Sequence, residues 1–136
     1  MADEASKPPA ISIGVIGCGT IASAVVTGWA KAQQRQGTGS KDANNVEEHP
    51  PYKISRICLS VRSAKKSAAL QKSFPDLVSI HTDNQEILDG SDIVFLCVLN
   101  NQTEAVLGPL KFDVHRHTLV SMVVRLSMFS LCELLP

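Results

Sequence analysis

Two periods of hydrophobic and polar positions alternate along this chain. Residues 11–16, ISIGVI, are a short apolar run, the pattern of a strand buried on both faces. Beyond it, Ile21, Ala22, Val25, Val26, Trp29 and Ala30 recur at helical spacing and predict a helix reaching about Gln34. Residues 36–51 are polar and rich in Gly, Asn and Pro, which predicts a long loop inserted on the surface. KISRICLS at 53–60 predicts a second strand, and 63–74 a second helix that stops near Pro75. A brief third strand is expected at 77–80. A capped helical turn follows, with Asp83 as N-cap and Glu86 three residues on. DIVFLCV at 92–98 is the most apolar run and predicts the central strand. A short helix over 102–110, a fifth strand at 117–124 and the start of another helix complete the series.

Strands that alternate with helices specify a parallel sheet with right-handed crossovers. The expected fold is therefore α/β, a Rossmann-type doubly wound parallel sheet in a single domain over residues 11–136. Residues 1–10, acidic and Pro-containing, are expected to be a disordered tail.

The glycines after the first strand change the picture from fold to chemistry. Gly17, Gly19 and Ala22 fit G-x-G-x-x-G/A between a predicted strand and a predicted helix. The first glycine allows the tight turn, and the second lets a pyrophosphate approach the backbone. The third, small position lets helix and sheet pack closely. The helix start then offers N–H groups and a partial positive charge to phosphate. A glycine-rich turn that binds nothing is the competing reading.

The end of the second strand distinguishes the two nicotinamide dinucleotides. An NAD-preferring site places a carboxylate there to hold the ribose 2′-hydroxyl. Here the residues are Ser60, Val61, Arg62 and Ser63, with Lys65 and Lys66 close behind. Arg62 can fork onto a 2′-phosphate, and Ser60 and Ser63 can donate to it. NADP(H) is expected over NAD(H), and the alternative for Arg62 is a solvated residue ahead of a helix.

Charge and cysteine content narrow the partners. Thirteen basic and thirteen acidic side chains cancel, which argues against nucleic-acid and membrane-surface roles. Cys18, Cys58, Cys97 and Cys132 form no C-x-x-C pair, so neither a zinc site nor a disulfide framework is expected. His81, His115 and His117 lack a spaced carboxylate or cysteine partner, so no metal is expected. Without a signal segment or an apolar stretch of about 20 residues, the expected placement is cytoplasmic.

Several motifs in order, IGVIGCGTIASAVVTG, LSVRSAKK, DNQEILDGSDIVFLCV and HTLVSMV, resemble the N-terminal NAD(P)-binding domain of the pyrroline-5-carboxylate reductase family. The resemblance runs from about Ile11 to Val124, apart from the loop at 36–51. It also extends to a divergent branch of NADP-dependent oxidoreductase-domain proteins. It implies hydride transfer from a reduced nicotinamide to a C=N bond, in proline biosynthesis.

Carried over by motif, the phosphate loop falls on Ile16, Gly17, Cys18, Gly19, Thr20 and Ile21. The asparagine on the cofactor's ribose side falls on Asn84, which can also serve as a helix cap. The family's A-V-K-P loop falls on Cys97, Val98, Leu99 and Asn100, where its lysine and proline are absent. Its S-x-x-A-G falls on residues 121–125, where Val124 and Arg125 replace the Ala-Gly pair. The family places a dimer-forming helical domain after this point, so the chain is expected to be truncated relative to it, with homo-oligomers only if that domain is present.

Two functions are therefore expected in competition. One is the cofactor domain of a reductase, with the substrate site elsewhere; the other is a catalytically silent NADP(H)-binding or sensing module.

Overall fold

The computed structural model describes residues 9–17, 19–37, 53–61 and 64–135. The expected N-terminal tail, most of the loop at 36–51, and the candidate residues Cys18, Arg62 and Ser63 lie outside the described residues.

The chain builds β1 (Ala10–Ile16), α1 (Thr20–Gly37), β2 (Lys53–Ser60), α2 (Ala64–Ser73), β3 (Val78–His81), α3 (Asn84–Asp89), β4 (Ile93–Leu96), α4 (Thr103–Leu107), β5 (Thr118–Ser121) and α5 (Met128–Leu134). The strands form one parallel sheet in the order β3-β2-β1-β4-β5. The chain steps outward from β1 to β3, then crosses back over to place β4 on the other side of β1. That reversal opens a crevice at the carboxyl ends of β1 and β4, where doubly wound sheets take their ligands.

Side-chain alternation divides the interior into two layers. Ile13 and Val15 of β1 join Ile57 and Leu59 of β2, with Ala22 and Val26 of α1 and Leu70 of α2. Ile16 and Cys58, one residue out of phase, point the other way. They meet Val94 and Leu96 of β4, Ile87 and Leu88 of α3, Leu107 of α4 and Leu131 of α5. Thus α1 and α2 cover one face, and α3, α4 and α5 the other. The period-2 strands and period-3.6 helices predicted from the sequence are the physical origin of both layers.

Several elements differ from their expected bounds. The fourth and fifth strands are shorter at both ends than 92–98 and 117–124, and Cys97, Val98, Met122 and Val124 just beyond them line the crevice. The helix expected over 102–110 is a 3₁₀ turn at Asn100–Gln102 followed by α4, which ends before Gly108 and Pro109. The cap of α3 forms at Asp83, whose side chain accepts from the Gln85 N–H at 3.0 Å. Glu86 does not close a capping box; its Oε2 lies 3.4 Å from His81 Nδ1. Among the described residues, no helix is long and apolar enough to cross a membrane.

Gly14 sets how closely α3 lies on β1. A Cβ there would fall 2.6 Å from Ser91 Oγ and 2.8 Å from Ile87 Cγ2. Ser91 cannot swing aside freely, because its buried hydroxyl donates to Ile87 O at 2.6 Å. Gly14→Ala should therefore destabilise the fold by about 1–3 kcal/mol, the ordinary cost of overpacking. Chemical denaturation of the variant beside wild type measures that loss.

Candidate functional site

The crevice is framed by two turns that meet. Gly17 ends β1 with φ at +86°, a left-handed conformation that glycine adopts without strain. A side chain there would also collide with the opposite turn. Its Cβ would lie 2.7 Å from Cys97 O and 2.7 Å from Val98 Cγ1. Gly17 is needed twice over, for its dihedral and for its lack of bulk.

Ser60 fixes the same turn from behind. Its hydroxyl oxygen accepts from the Gly17 N–H at 3.0 Å, in a buried bond. Ser67 of α2 donates in turn to Ser60 O at 2.8 Å. Ser60 is only 5% exposed, so in this structure its oxygen holds the glycine turn. The Gly19 carbonyl then accepts from Ser23 N–H at 2.9 Å, the bond that starts α1. The N–H groups before that bond have no partner within the helix. They belong to residues 20–22, which line the crevice.

The resulting cavity measures about 490 Å³. Gly17, Gly19, Thr20, Ile21 and Ala22 form one side, and Cys97, Val98, Leu99, Asn100 and Gln102 the other, with Met122 and Val124 closing the β5 end. A Cβ built on Gly19 meets nothing within 4 Å, so position 19 opens directly into this space. Ile21, Leu99 and Val124 are 64%, 66% and 72% exposed, giving the mouth an apolar rim.

The β4 and β5 walls are tied together. Asn100 Nδ2 donates to Arg125 O at 3.2 Å, and Arg125 has φ at +64°. An L-residue there carries a conformational cost that glycine would not. The Gly of the family's S-x-x-A-G motif falls on this position, and the backbone keeps a glycine-like turn without it.

Most of the expected site residues come together. Gly17, Gly19, Thr20, Ile21, Cys97, Val98, Leu99 and Asn100 all line the one cavity. Ile16 does not line it and is buried in the core on the α3–α5 side of the sheet. Asn84 is elsewhere: it lines a separate groove of about 610 Å³ between α3 and α4, with Gln85 and Lys111. Gln85 braces that groove by accepting from Lys111 N–H at 2.9 Å. His81, His115 and His117 do not line the cavity. Gln102 was not foreseen; it borders both spaces, and its position in the turn after Leu99 was its only signal. Met122 and Val124 sat within a motif but were not counted as site residues.

A glycine turn at the switch point of a parallel doubly wound sheet defines a dinucleotide-binding class of fold. The chain belongs to the family described as NADP oxidoreductase, coenzyme F420-dependent, whose model matches residues 12–125. Its fold is similar to that of a pyrroline-5-carboxylate reductase from Coxiella burnetii, with a TM-score of 0.66 and 22% identity over 92% of this chain and 40% of that one. A Plasmodium falciparum pyrroline carboxylate reductase with NADP bound gives 0.64 and 21%, over 92% of this chain and 38% of that one. The 1-pyrroline-5-carboxylate reductase of Streptococcus pyogenes gives 0.59 and 21%, over 93% and 39%. This chain therefore spans about two fifths of those proteins' length. No curated protein sequence matches it.

The Ser60 bond is open to direct test. Ser60→Ala leaves a buried Gly17 N–H without an acceptor, which costs about 1–3 kcal/mol. The expected result is a lower melting temperature, measured by circular dichroism.

Proposed function

We propose that this chain is the NADP(H)-binding domain of a pyrroline-5-carboxylate reductase-like oxidoreductase of the cytoplasm. The observation that carries this reading is the cavity at the carboxyl ends of β1 and β4, which Gly19 leaves open and the start of α1 faces. The cavity's shape and donors fit a pyrophosphate: backbone N–H groups at a helix start, no acidic residue in the first turn of α1, and no side chain at position 19. Residues 17–22 would hold the phosphates, and the apolar walls at Val98, Leu99 and Met122 would flank the flat ring beyond them. Bound NADPH supplies a hydride. The chain's residues bind the cofactor, orient it and exclude water around it. Arg62 and Ser63 remain the proposed readers of the 2′-phosphate, and Asn84 a proposed contact on the ribose side.

One observation supports the second reading, a binding module without reductase activity of its own. Cys97 is the single titratable side chain among the described residues that line the cavity. Reduction of a C=N bond needs a proton as well as a hydride, and this wall holds no carboxylate, imidazole or ammonium to deliver it. In the proposed enzyme, the substrate and its proton donor are held by residues outside this cavity. Placing the reacting atoms correctly is worth about 7–11 kcal/mol, so the 136-residue chain alone should reduce pyrroline-5-carboxylate at well below about 1 per second, the low end for enzymes. Steady-state NADPH oxidation checks this, and turnover at an ordinary enzymatic rate would overturn it.

Cofactor binding is tested by fluorescence titration. Gly19→Val should abolish NADPH binding while circular dichroism shows the fold retained, because the branched side chain fills the space meant for phosphate. NADPH should bind about tenfold more tightly than NADH, roughly 1.4 kcal/mol. Arg62→Ala should remove most of that difference and leave NADH affinity nearly unchanged. Equal weakening of both cofactors would show that Arg62 does not read the 2′-phosphate.

A further inference from the structure

A second group of polar side chains meets at the outer edge of the sheet. Strand β3 pairs with β2 alone, so its other side is an open edge. Val78 lies in the core layer under α1 and α2. Ser79 and His81 therefore project from the opposite face, two residues apart on one side of the strand. There Ser79 Oγ lies 3.1 Å from His81 Nε2, and His81 Nδ1 lies 3.4 Å from Glu86 Oε2 of α3. None of the three lines the crevice cavity.

The order of atoms fixes which groups give and which accept. A carboxylate only accepts, so Nδ1 carries the imidazole proton and Nε2 presents a lone pair to Ser79. The Ser79 hydroxyl has one proton to give. Its other neighbour is Cys58 Sγ at 3.6 Å, and sulfur is the weaker acceptor. A hydroxyl within about 3.2 Å of a base that a third group orients is the arrangement that activates a nucleophile. The side chains of His81 and Glu86 are 28% and 61% exposed, and Ser79 is half-buried. Water and a small molecule can therefore reach the group.

The open edge adds a donor. Ile57 N–H donates to Leu77 O at 2.8 Å. The backbone groups of Leu77, Ser79 and His81 therefore face β2, and those of Val78 and Ile80 face outward. Phe74 O takes the Val78 N–H at 3.0 Å. The Ile80 N–H stands on the edge with no strand beyond it. It belongs to the residue after Ser79, the place from which a backbone amide holds the acyl oxygen in α/β-hydrolases.

We propose that Ser79, His81 and Glu86 form an acyl-transfer site that hydrolyses small uncharged esters. Ser79 Oγ attacks the acyl carbon, and its proton passes to His81 Nε2. His81 gives that proton to the departing alcohol oxygen as the C–O bond breaks, and the acyl group stays on Ser79. Water then attacks this ester, its proton passing through His81 Nε2 to Ser79 Oγ as the acid leaves. Glu86 is a positioning residue that holds the Nδ1–H tautomer, and its exposed charge disfavours anionic esters. Buried Cys58 closes the inner side of the hydroxyl and keeps the acyl group short. No cofactor enters these steps, so the activity is independent of dinucleotide binding.

An alkyl fluorophosphonate and p-nitrophenyl acetate test this on the purified chain. The fluorophosphonate forms a P–O bond with an activated hydroxyl as fluoride leaves, and peptide mass spectrometry should place the adduct on Ser79. His81→Ala should slow that labelling at least about 100-fold, the lower range for general-base catalysis. Glu86→Ala should slow it about tenfold, the low end for one hydrogen bond to a charged group. Glu86→Gln keeps an acceptor for Nδ1–H and should recover most of that loss. Ser79→Ala should lower p-nitrophenolate release to the background of the chain's other nucleophiles, with circular dichroism showing the fold retained. Mapping the adduct on wild type needs no variant, so it decides the matter if one fails to fold. An unlabelled Ser79 in wild type would overturn the proposal, as would labelling that survives His81→Ala. A Glu86→Gln rate as low as that of Glu86→Ala would overturn the role given to Glu86. Release of p-nitrophenolate that Ser79→Ala leaves unchanged would also overturn the proposal and assign acetylation to lysine and cysteine side chains.

Discussion

The carboxyl edge of this molecule depends on how closely one backbone position can be approached. At Gly17 three parts of the chain converge: Ser60 accepts the N–H from behind, while Cys97 O and Val98 occupy the volume where a side chain would begin. This contact couples β1, β2 and the turn after β4 without any charged group. It also determines the direction in which α1 leaves the sheet, and so where its first N–H groups point. The cavity results from that geometry: one wall is the turn that Gly17 makes possible, and the other is the turn that packs against it.

The sheet order and the glycine turn could be read from the sequence because both rest on local rules. Apolar periodicity separates β1 from α1, and a glycine pair between them has few structural explanations. What lay beyond local rules is where chain segments stop and which spaces they share. The run at 92–98 reads as one strand, but the strand ends at Leu96, and after the Cys97 N–H bonds to Ile16 O the chain turns past Gly17. Asn84 sits in the first turn of α3 as its motif suggests, and the groove it lines there with Gln102 and Lys111 is a space the motif alone does not describe. Ser60 reads as a donor at a strand end, and it is buried with its oxygen accepting from the Gly17 N–H. Each difference comes from a contact between residues far apart in sequence, which periodicity does not encode.

The cavity also divides labour between backbone and side chain. Its α1 side is built from glycines and helix amides, groups that do not titrate. Its opposite wall is made of side chains at Leu99, Asn100, Met122 and Val124, on turns outside the sheet. Sequence change on that wall alters the shape of the cavity without disturbing the sheet and glycine turn beneath it. Arg125 illustrates this: its backbone keeps a left-handed turn held by Asn100 although the residue itself is not glycine.

Trp29 gives the protein an optical reporter of its own. It is the chain's single tryptophan, and its ring lies 4.9 Å from Phe95 at an interplanar angle of 57°. The two rings pack beneath the inner end of the cavity, with Cys97 and Met122 in the same cluster. Cys97 and Met122 also line the cavity, so the indole is one layer of side chains away from whatever occupies it. Its emission therefore arises from one known place, with no second indole to average over. A shift in its spectrum is a statement about the packing of α1 on β4, and no label needs to be attached to obtain it.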